Sequence, residues 1–540
     1  MNMRTESPCL PRRRGAIVAI ALLALAGCSG GGGGSAVGPG PGPGPIQRAP
    51  ATAVYLAANG RQLFEVPDDA SALPVALGSP AMTTVRGYAV SPDGGAVAFV
   101  ADRDTVDRYE LYVAEIGGSG PIRVSVLANT FDDVMDFAWA PDSRSLAYRA
   151  DGIVDDRAEL FRVGRDGGSH YRVYQSGIAS IFVAADYGWS PDSRHLFCMM
   201  QQTTTRFELR LHDASTGSEG ASTVLSVPPG RDIRDVTFSP DSAWIALRSD
   251  HARAEDQFQV FRRRTDLGTA LELSNGTTGS SVRIGDYAWS YDSRWLAQTV
   301  LTHPAGAMLG VNVYELANDY SRRALSSSTV ERWEWAPQSN RLAIAADYDP
   351  VTNTPAGAVQ LVVHDADANT RTVANAAVPP GQTILGELFA WAPDGQHLAY
   401  ATRVSFLDHR VWIVATDGSG FASEAIDAVG QQVVRLSWNR DGSRLATLVR
   451  NETQAFHPGE WFLLGIDGHT VFRSGTFNTY FTSQTLRWSK DGIRAVYAID
   501  AAASGPDRLR AVGLDGTGDV GLTNDASLSF DYASASITAP

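Results

Sequence analysis

The feature that most constrains this chain is a phrase of the type Trp-Ser-Pro-Asp-Gly, which recurs nine times at intervals of about 50 residues. Two copies read WAPDSRSLAY from Trp139 to Tyr148 and WAPDGQHLAY from Trp391 to Tyr400. A repeat of this length is one supersecondary unit that cannot bury its apolar face alone. The sequence therefore predicts a series of similar units that stack on one another. The nine copies begin at Val90, Trp139, Trp189, Phe238, Trp289, Trp335, Trp391, Trp438 and Trp488.

Each copy marks the turn between the first two strands of a four-stranded unit. Proline presets φ for a tight turn, and Asp, Ser and Gly suit the positions that follow it. In Leu146–Tyr148 large and small residues then alternate with the period of a packed strand. Asp-Gly turns such as Asp417-Gly418 follow the third strand in several copies. Looser turns are expected where Tyr291, Arg440 and Lys490 replace the proline and where Gln338 replaces the aspartate.

Four-stranded antiparallel units repeated around an axis form a β-propeller, so the predicted fold is all-β with about ten blades. The phrase W-S/A-P-D-S/G-x-x-L-A-Y resembles the repeats of the TolB family. It also resembles those of the propellers in tricorn-like proteases and prolyl-oligopeptidase-like enzymes. The resemblance covers nearly all of residues 51–540 and implies the fold. It does not by itself indicate a function, because this repeat is structural wherever it occurs.

The two ends of the repeat region look incomplete in complementary ways. Val54–Val66 reads as the second and third strands of a blade without its first strand, and Leu528–Ile537 reads as a first strand alone. The C-terminal strand is therefore expected to complete the N-terminal blade. One large ring is favoured because no linker interrupts the series. Two propellers in series, joined near Gln338, are the alternative.

Residues 1–27 predict a secretory signal peptide, with Arg12–Arg14 followed by the apolar stretch Ala16–Ala26. Leu25-Ala26-Gly27-Cys28 resembles the bacterial lipobox. The resemblance implies cleavage before Cys28, a diacylglycerol on its sulfur and, with Ser29 following, an outer-membrane lipoprotein facing the periplasm or the exterior. A plain signal peptide with an incidental cysteine is the alternative. Residues 28–50 are almost all Gly, Pro and small residues and predict a disordered tether, which leaves residues 51–540 for the propeller.

The formal net charge is −14, and removing residues 1–27 takes away four Arg and one Glu, which leaves −14 − 4 + 1 = −17. Such an acidic body argues against nucleic acid as a partner. The membrane is expected as a partner only through the lipid on Cys28. No cofactor is predicted, and no disulfide is expected in the mature chain. Cys198 occupies a strand position taken by large apolar residues in other copies, which predicts a buried thiol.

One position, six residues before the turn acid on the strand nearest the axis, varies in an informative way. A row of these side chains at the channel mouth would make a polarised opening for a basic segment of a partner or for a cation. The alternative is structural, with each aspartate accepting hydrogen bonds from the loop that enters the strand. The candidate binding residues are Asp136, Asp186, Asp235 and Asp286 on four consecutive units, followed by Arg332 and Arg435.

No catalytic constellation and no metal-ligand spacing is found among the histidines and acidic residues. The recurring tryptophans predict packing between blades, with a carbohydrate-stacking ladder as the alternative. The leading functional hypothesis is a lipid-anchored, non-enzymatic scaffold of the cell envelope that binds a protein or peptide, as TolB-like resemblance implies. A hydrolase or lyase acting on peptide or polysaccharide at the channel mouth is the second hypothesis. A carbohydrate-binding module is the third.

Overall fold

In a computed structural model of the chain, the repeats form small antiparallel sheets, in most of which neighbouring strands are consecutive in the sequence. All the described residues belong to the unit Pro43–Pro540. The predicted signal peptide, Cys28 and the tether lie outside the described residues. The structure describes residues 52–57, 61–77, 84–118, 120–127, 132–151, 158–174, 182–203, 206–217, 222–225, 233–250, 257–266, 271–272, 282–302, 305–317, 320–325, 329–349, 351–352, 354–375, 379, 381–417, 422–428, 430–451, 453–454, 458–478, 486–489, 492–500, 507–522 and 530–538.

The strands group into ten blades, numbered here in chain order. Blades 1 to 3 contain β1 (Thr52–Ala57), β2 (Leu63–Pro67) and β3 (Val75–Ala76); β4 (Val85–Val90), β5 (Ala96–Ala101), β6 (Glu110–Glu115) and β7 (Ile122–Arg123); and β8 (Val134–Trp139), β9 (Ser145–Asp151), β10 (Ala158–Gly164) and β11 (Tyr171–Tyr174). Blades 4 and 5 contain β12 (Phe182–Trp189), β13 (His195–Thr203), β14 (Arg206–Asp213) and β15 (Ser222–Leu225), then β16 (Ile233–Phe238), β17 (Trp244–Ser249), β18 (Gln259–Arg264) and β19 (Leu271–Glu272).

The remaining blades follow the same plan. Blades 6 to 8 contain β20 (Val282–Trp289), β21 (Trp295–Thr302), β22 (Met308–Glu315) and β23 (Tyr320–Leu325); β24 (Val330–Trp335), β25 (Arg341–Asp349), β26 (Thr354–Asp365) and β27 (Thr370–Val373); and β28 (Thr383–Trp391), β29 (His397–Ser405), β30 (Asp408–Ala415) and β31 (Ala422–Ala428). Blade 9 contains β32 (Gln432–Trp438), β33 (Arg444–Arg450), β34 (Pro458–Gly465) and β35 (Thr470–Arg473). A short strand β36 (Phe477–Asn478) links it to blade 10, which contains β37 (Leu486–Trp488), β38 (Arg494–Asp500), β39 (Asp507–Gly513) and β40 (Val520–Gly521); β41 (Phe530–Thr538) comes last.

The predicted β-propeller of four-stranded antiparallel blades is confirmed. The short 3-10 turn Ala214–Thr216 is the helical element within the described ranges. No helix in those ranges is long and apolar enough to cross a membrane. Neighbouring first strands touch each other, as β28 does β32, which places the first strands on the inner side of the blades.

The C-terminal strand β41 completes blade 1, as the incomplete ends of the repeat predict. It pairs antiparallel with β1, and Thr52 lies opposite Thr538. Blade 1 therefore has the strand order β3-β2-β1-β41. A cluster containing Tyr55 of blade 1 and Val496 of blade 10 packs the first blade on the last. Similar clusters join each blade to the next, including blades 6, 7 and 8 around Gln338.

The recurring tryptophans pack between blades, as their spacing predicts, and each also donates a hydrogen bond to the preceding blade. Each indole N–H donates to the first strand of the preceding blade, so the partly or fully buried ring keeps its hydrogen bond. The alternative of a carbohydrate-stacking ladder is wrong, because these rings lie between sheets. The bonds run from Trp139 to Ala89 O (3.0 Å), Trp189 to Ala138 O (3.3 Å), Trp289 to Thr237 Oγ1 (3.2 Å), Trp335 to Ala288 O (3.0 Å), Trp391 to Glu334 O (3.0 Å), Trp438 to Ala390 O (3.1 Å) and Trp488 to Ser437 Oγ (3.2 Å).

A second chain of bonds joins the tight turns of blades 2 to 6. The serine after the turn aspartate has a left-handed backbone, for example with φ of 63° at Ser143, and this position is glycine in other copies. Its hydroxyl accepts the N–H of the turn aspartate in the preceding blade. These bonds are Asp93 N to Ser143 Oγ (2.8 Å), Asp142 N to Ser193 Oγ (3.0 Å), Asp192 N to Ser242 Oγ (3.0 Å) and Asp241 N to Ser293 Oγ (3.0 Å).

The turn depends on its aspartate more than on its proline. With Tyr291 in place of proline, Ser293 N still donates to Ser290 O at 3.1 Å, and the turn at Arg440 keeps the same bond. The expected loosening is therefore wrong at these two sites. At Gln338, by contrast, Ser339 does not have the left-handed backbone of Ser143 and its equivalents. An amide at position 338 does not replace the carboxylate that accepts the backbone N–H groups of the turn. Lys490 lies outside the described residues.

We expect Ser143→Ala to destabilise the protein more than Ser143→Gly. Both changes remove the acceptor for Asp93 N, which costs about 1 kcal/mol. Glycine recovers about 1 kcal/mol because it adopts the left-handed backbone without the Cβ clash, whereas alanine keeps that cost. Thermal unfolding of the chain from residue 51 onward, followed by circular dichroism, measures the order. Equal losses for the two variants would contradict the role given to the turn backbone.

Candidate functional site

The six predicted site residues all lie in the middle of first strands, at a repeated irregularity in strand pairing. The register between first and second strands shifts there, as between Val134 and Asp136, or between Val433 and Arg435. The same shift occurs in the other first strands of blades 2 to 9. A β-bulge re-aims the side chains beside it. The candidate residues therefore lie along the wall formed by the first strands, and their place at a channel mouth stays a prediction.

In blade 3 the bulge aspartate is held by an arginine of the second strand. Arg149 Nε donates to Asp136 Oδ1 at 3.0 Å, and Arg149 Nη2 donates to Asp136 Oδ2. Arg149 Nη1 also reaches Val183 O of blade 4 at 3.1 Å. Tyr187 of blade 4 completes the group, because its hydroxyl donates to Asp136 Oδ1 at 2.9 Å. Burial, together with the neighbouring Asp136 carboxylate, raises the pKa of Tyr187 well above its usual value, so this phenol stays a donor.

Blades 5 and 6 repeat this group. Arg248 forms an ion pair with Asp235, and its Nη1 donates to Gly285 O of blade 6 at 3.1 Å. Tyr287 of blade 6 donates to Ala246 O of blade 5 at 3.0 Å and to Asp235 O. Asp235 has a left-handed backbone with φ of 48°, which marks the bulge. Blades 3 and 4 and blades 5 and 6 are thus two copies of one two-blade arrangement.

Asp186 and Asp286 occupy the equivalent positions in blades 4 and 6, and both are exposed. The second strands beside them carry Met199 and Thr299 where blades 3 and 5 carry arginine. The four predicted aspartates therefore divide into two pairs. Asp136 and Asp235 pair with arginines of their own blades, and Asp186 and Asp286 are exposed. The expected structural role is correct for the first pair, although the donors are strand residues and not an entering loop.

The two predicted arginines are placed differently from each other. Arg332 of blade 7 stacks on the Phe389 ring of blade 8, with 4.6 Å from its guanidinium carbon to the ring centre, and Nη1 donates to Glu387 O at 2.9 Å. Phe389 takes the place that Tyr187 has in blade 4. Arg435 of blade 9 lies among partly buried residues, and desolvation together with the nearby Arg487 lowers its pKa. The candidate position therefore carries aspartate in blades 3 to 6 and arginine in blades 7 and 9.

Sequence reasoning missed Arg149, Arg248, Tyr187 and Tyr287. A signal was present, because Arg149-Ala150-Asp151 and Arg248-Ser249-Asp250 share the pattern Arg-x-Asp and the following blades both contain Asp-Tyr-x-Trp. Cys198 is buried as predicted, and burial raises the pKa of its thiol to about 12. Within the described part of the chain, no three His, Cys, Asp or Glu side chains are grouped to hold a metal ion.

No family model matches the sequence, and no curated protein matches it. Among solved structures, the chain is similar to a eukaryotic initiation factor with a TM-score of 0.50 and 14% identity, over 79% of this chain and 96% of that one. It is also similar to dipeptidyl peptidase 4 of Porphyromonas gingivalis, with a TM-score of 0.46 and 12% identity, over 74% of this chain and 63% of that one. The tricorn protease gives 0.35 and 11%, over 90% of this chain and 47% of that one. At these identities the likeness concerns the fold alone.

We expect Asp136→Asn to destabilise the protein by about 1.5–3 kcal/mol, because Arg149 would lose its charged acceptor. The matched change Asp186→Asn removes an exposed carboxylate at the same position of the next blade, and its effect stays within about 0.5 kcal/mol. The melting temperatures of both variants, compared with that of the parent chain, measure the difference in stability. A similar loss for both would show that the arginine contact does not distinguish these blades.

Proposed function

We propose that this protein is a lipid-anchored propeller of the cell envelope that acts as a non-enzymatic scaffold and holds a basic segment of a protein or peptide partner. The proposed binding residues are Asp186 and Asp286. Lipid on Cys28 would attach the scaffold to the outer membrane, on the periplasmic or the exterior side.

The observation that supports binding at this wall is the division of the four aspartates. The recurring tryptophans, turn serines and turn aspartates are used between and within blades, and so are Asp136 and Asp235. Asp186 and Asp286 are exposed at the same position without an arginine beside them on the second strand. They lie two blades apart on one wall, so a partner with spaced basic side chains could contact both.

We expect Cys28→Ser to release the protein from the membrane. Serine has no thiol to carry the diacylglycerol, so the lipid anchor implied by the lipobox resemblance cannot form. Fractionation of cells that express the full chain, together with metabolic labelling by a fatty acid, measures the effect. Label on the serine variant, or unchanged membrane association, would contradict lipidation at this residue.

We expect the full chain, crosslinked in cells and purified, to retain one envelope protein specifically. Changing Asp186 and Asp286 together to Asn should lower its recovery at least tenfold, because the contact is electrostatic and the blades stay intact. The control is Asp266→Asn, which removes one exposed carboxylate whose ion pair with Arg264 contributes little. Asp266 follows β18 and lies at the end of blade 5 opposite to Ile233, the residue at which β16 begins.

Two results would count against this function. Equal recovery of the envelope protein by the double variant and the parent would show that Asp186 and Asp286 are not part of the binding surface. Turnover of a peptide or polysaccharide by the parent chain, abolished in the double variant, would favour the hydrolase or lyase hypothesis instead.

A further inference from the structure

His409 is a buried histidine whose ring joins blade 8 to the start of blade 9. It is the second residue of the third strand β30 and is 6% exposed. Its Nδ1 atom accepts the backbone N–H of Val433 at 3.1 Å, where the first strand β32 of blade 9 begins. Only a ring nitrogen that carries no proton has the lone pair for this bond. The contact therefore requires the neutral imidazole.

The same backbone amide has a different acceptor at two other blade junctions. Val134 N donates to Tyr109 O at 2.8 Å, and Ile284 N donates to Phe258 O at 2.9 Å. Tyr109 and Phe258 occupy the position of His409 in their own blades, as the strand registers show. A backbone carbonyl does not titrate near neutral pH, whereas an imidazole does. The junction of blades 8 and 9 is therefore the one of these three that loses its acceptor on protonation.

The groups around His409 favour its neutral form. Arg403 of β29 lies directly opposite it in the strand ladder, and Arg410 follows it on β30, with Nη1 donating to His409 O at 3.4 Å. Its neighbour on β31 is the uncharged Ala428. Burial, together with the charge of Arg403, lowers the pKa of His409 below its usual value, and Asp408 opposes this shift.

The other side-chain contact of this junction keeps its charge near neutral pH. Asp408 Oδ1 accepts Gly430 N at 2.7 Å, and Ser405 Oγ donates to Asp408 Oδ2 at 2.7 Å. These two hydrogen bonds hold the pKa of Asp408 below its usual value. Residues 430–433 contain no titratable side chain. A response of this junction to mild acid therefore comes from His409.

We propose that His409 is a pH-sensitive latch between blades 8 and 9, closed while its ring is neutral and opened by protonation. The protonated ring loses the acceptor for Val433 N and places a second positive charge beside Arg403. The strand register shifts between Val433 and Arg435, so Val433 directly precedes the bulge that carries Arg435. Opening therefore releases the end of β32 next to the position of Arg435 on the wall. The latch acts within the scaffold and does not depend on the proposed partner.

The direction of the response follows from the two forms of the latch. In the open form the ring is exposed and has an ordinary pKa of about 6.5, and in the closed form the pKa of His409 is lower. Protons therefore bind preferentially to the open form, so the latch is closed above about pH 6.5 and opens as the pH falls. Between pH 7.5 and pH 5.5 the open fraction should rise by about three- to tenfold.

Hydrogen exchange of the full chain, resolved to single amides by mass spectrometry, tests the latch at pH 7.5 and pH 5.5. The protection factor of the Val433 amide should fall by about three- to tenfold at the lower pH. Val134 and Ile284 are controls within the same molecule. Their protection factors should change less than about twofold, because their acceptors are carbonyl oxygens. An unchanged protection factor at Val433, or an equal fall at all three amides, would overturn the proposal.

The variant His409→Asn separates the contact from the titration. Its Oδ1 is an acceptor close to the place of Nδ1, and it carries no titrating proton. The Val433 amide should keep its protection at pH 7.5 within about threefold of the parent and should lose its dependence on pH. A fall at pH 5.5 as large as in the parent would overturn the role of His409. If the variant does not fold, the three amides of the parent chain still decide the proposal.

Discussion

Packing between neighbouring blades is the constraint on which the rest of this structure depends. A four-stranded sheet has two faces, and a blade can bury them only against the blades before and after it. Where a first strand ends in tryptophan, the indole ring packs in the interface between blades, and its N–H donates a hydrogen bond across that interface. Phe238 has no N–H to donate, and its ring packs instead against Phe197 of the preceding blade at 5.8 Å between centres.

The chemistry that repeats could be predicted from the sequence, because it acts over a few residues at a fixed register. The Pro-Asp turn, the alternating second strand and the tryptophan at the blade interface are all visible in one copy of the phrase. The pairing of β1 with β41 was also predictable, since Val54–Val66 reads as a blade without its first strand and Leu528–Ile537 reads as a first strand alone. In these cases the local pattern and the global fold require the same residues.

The site could be predicted only as a position. The contacts of the site residues depend on a β-bulge, which changes the side chain that lies opposite Asp136. The bulge does not alter the hydrophobic pattern, so the sequence does not reveal it. Arg149 lies on the next strand and Tyr187 on the next blade, so neither contact follows from the spacing of the phrase. The looser turns expected at Tyr291 and Arg440 failed for a related reason. The carboxylate of the turn accepts the backbone N–H groups by itself, and the proline only preselects the conformation.

The two ends of the described chain meet inside one blade, and this has a consequence for how the molecule is made. Blades 2 to 9 can each assemble soon after they are synthesised, because their four strands are contiguous. Blade 1 has to wait with an open strand edge until Phe530–Thr538 has emerged, nearly the whole length of the chain later. Until then the edge of β1 is available to any extended segment nearby. Pairing of β41 with β1 is therefore the step that closes blade 1.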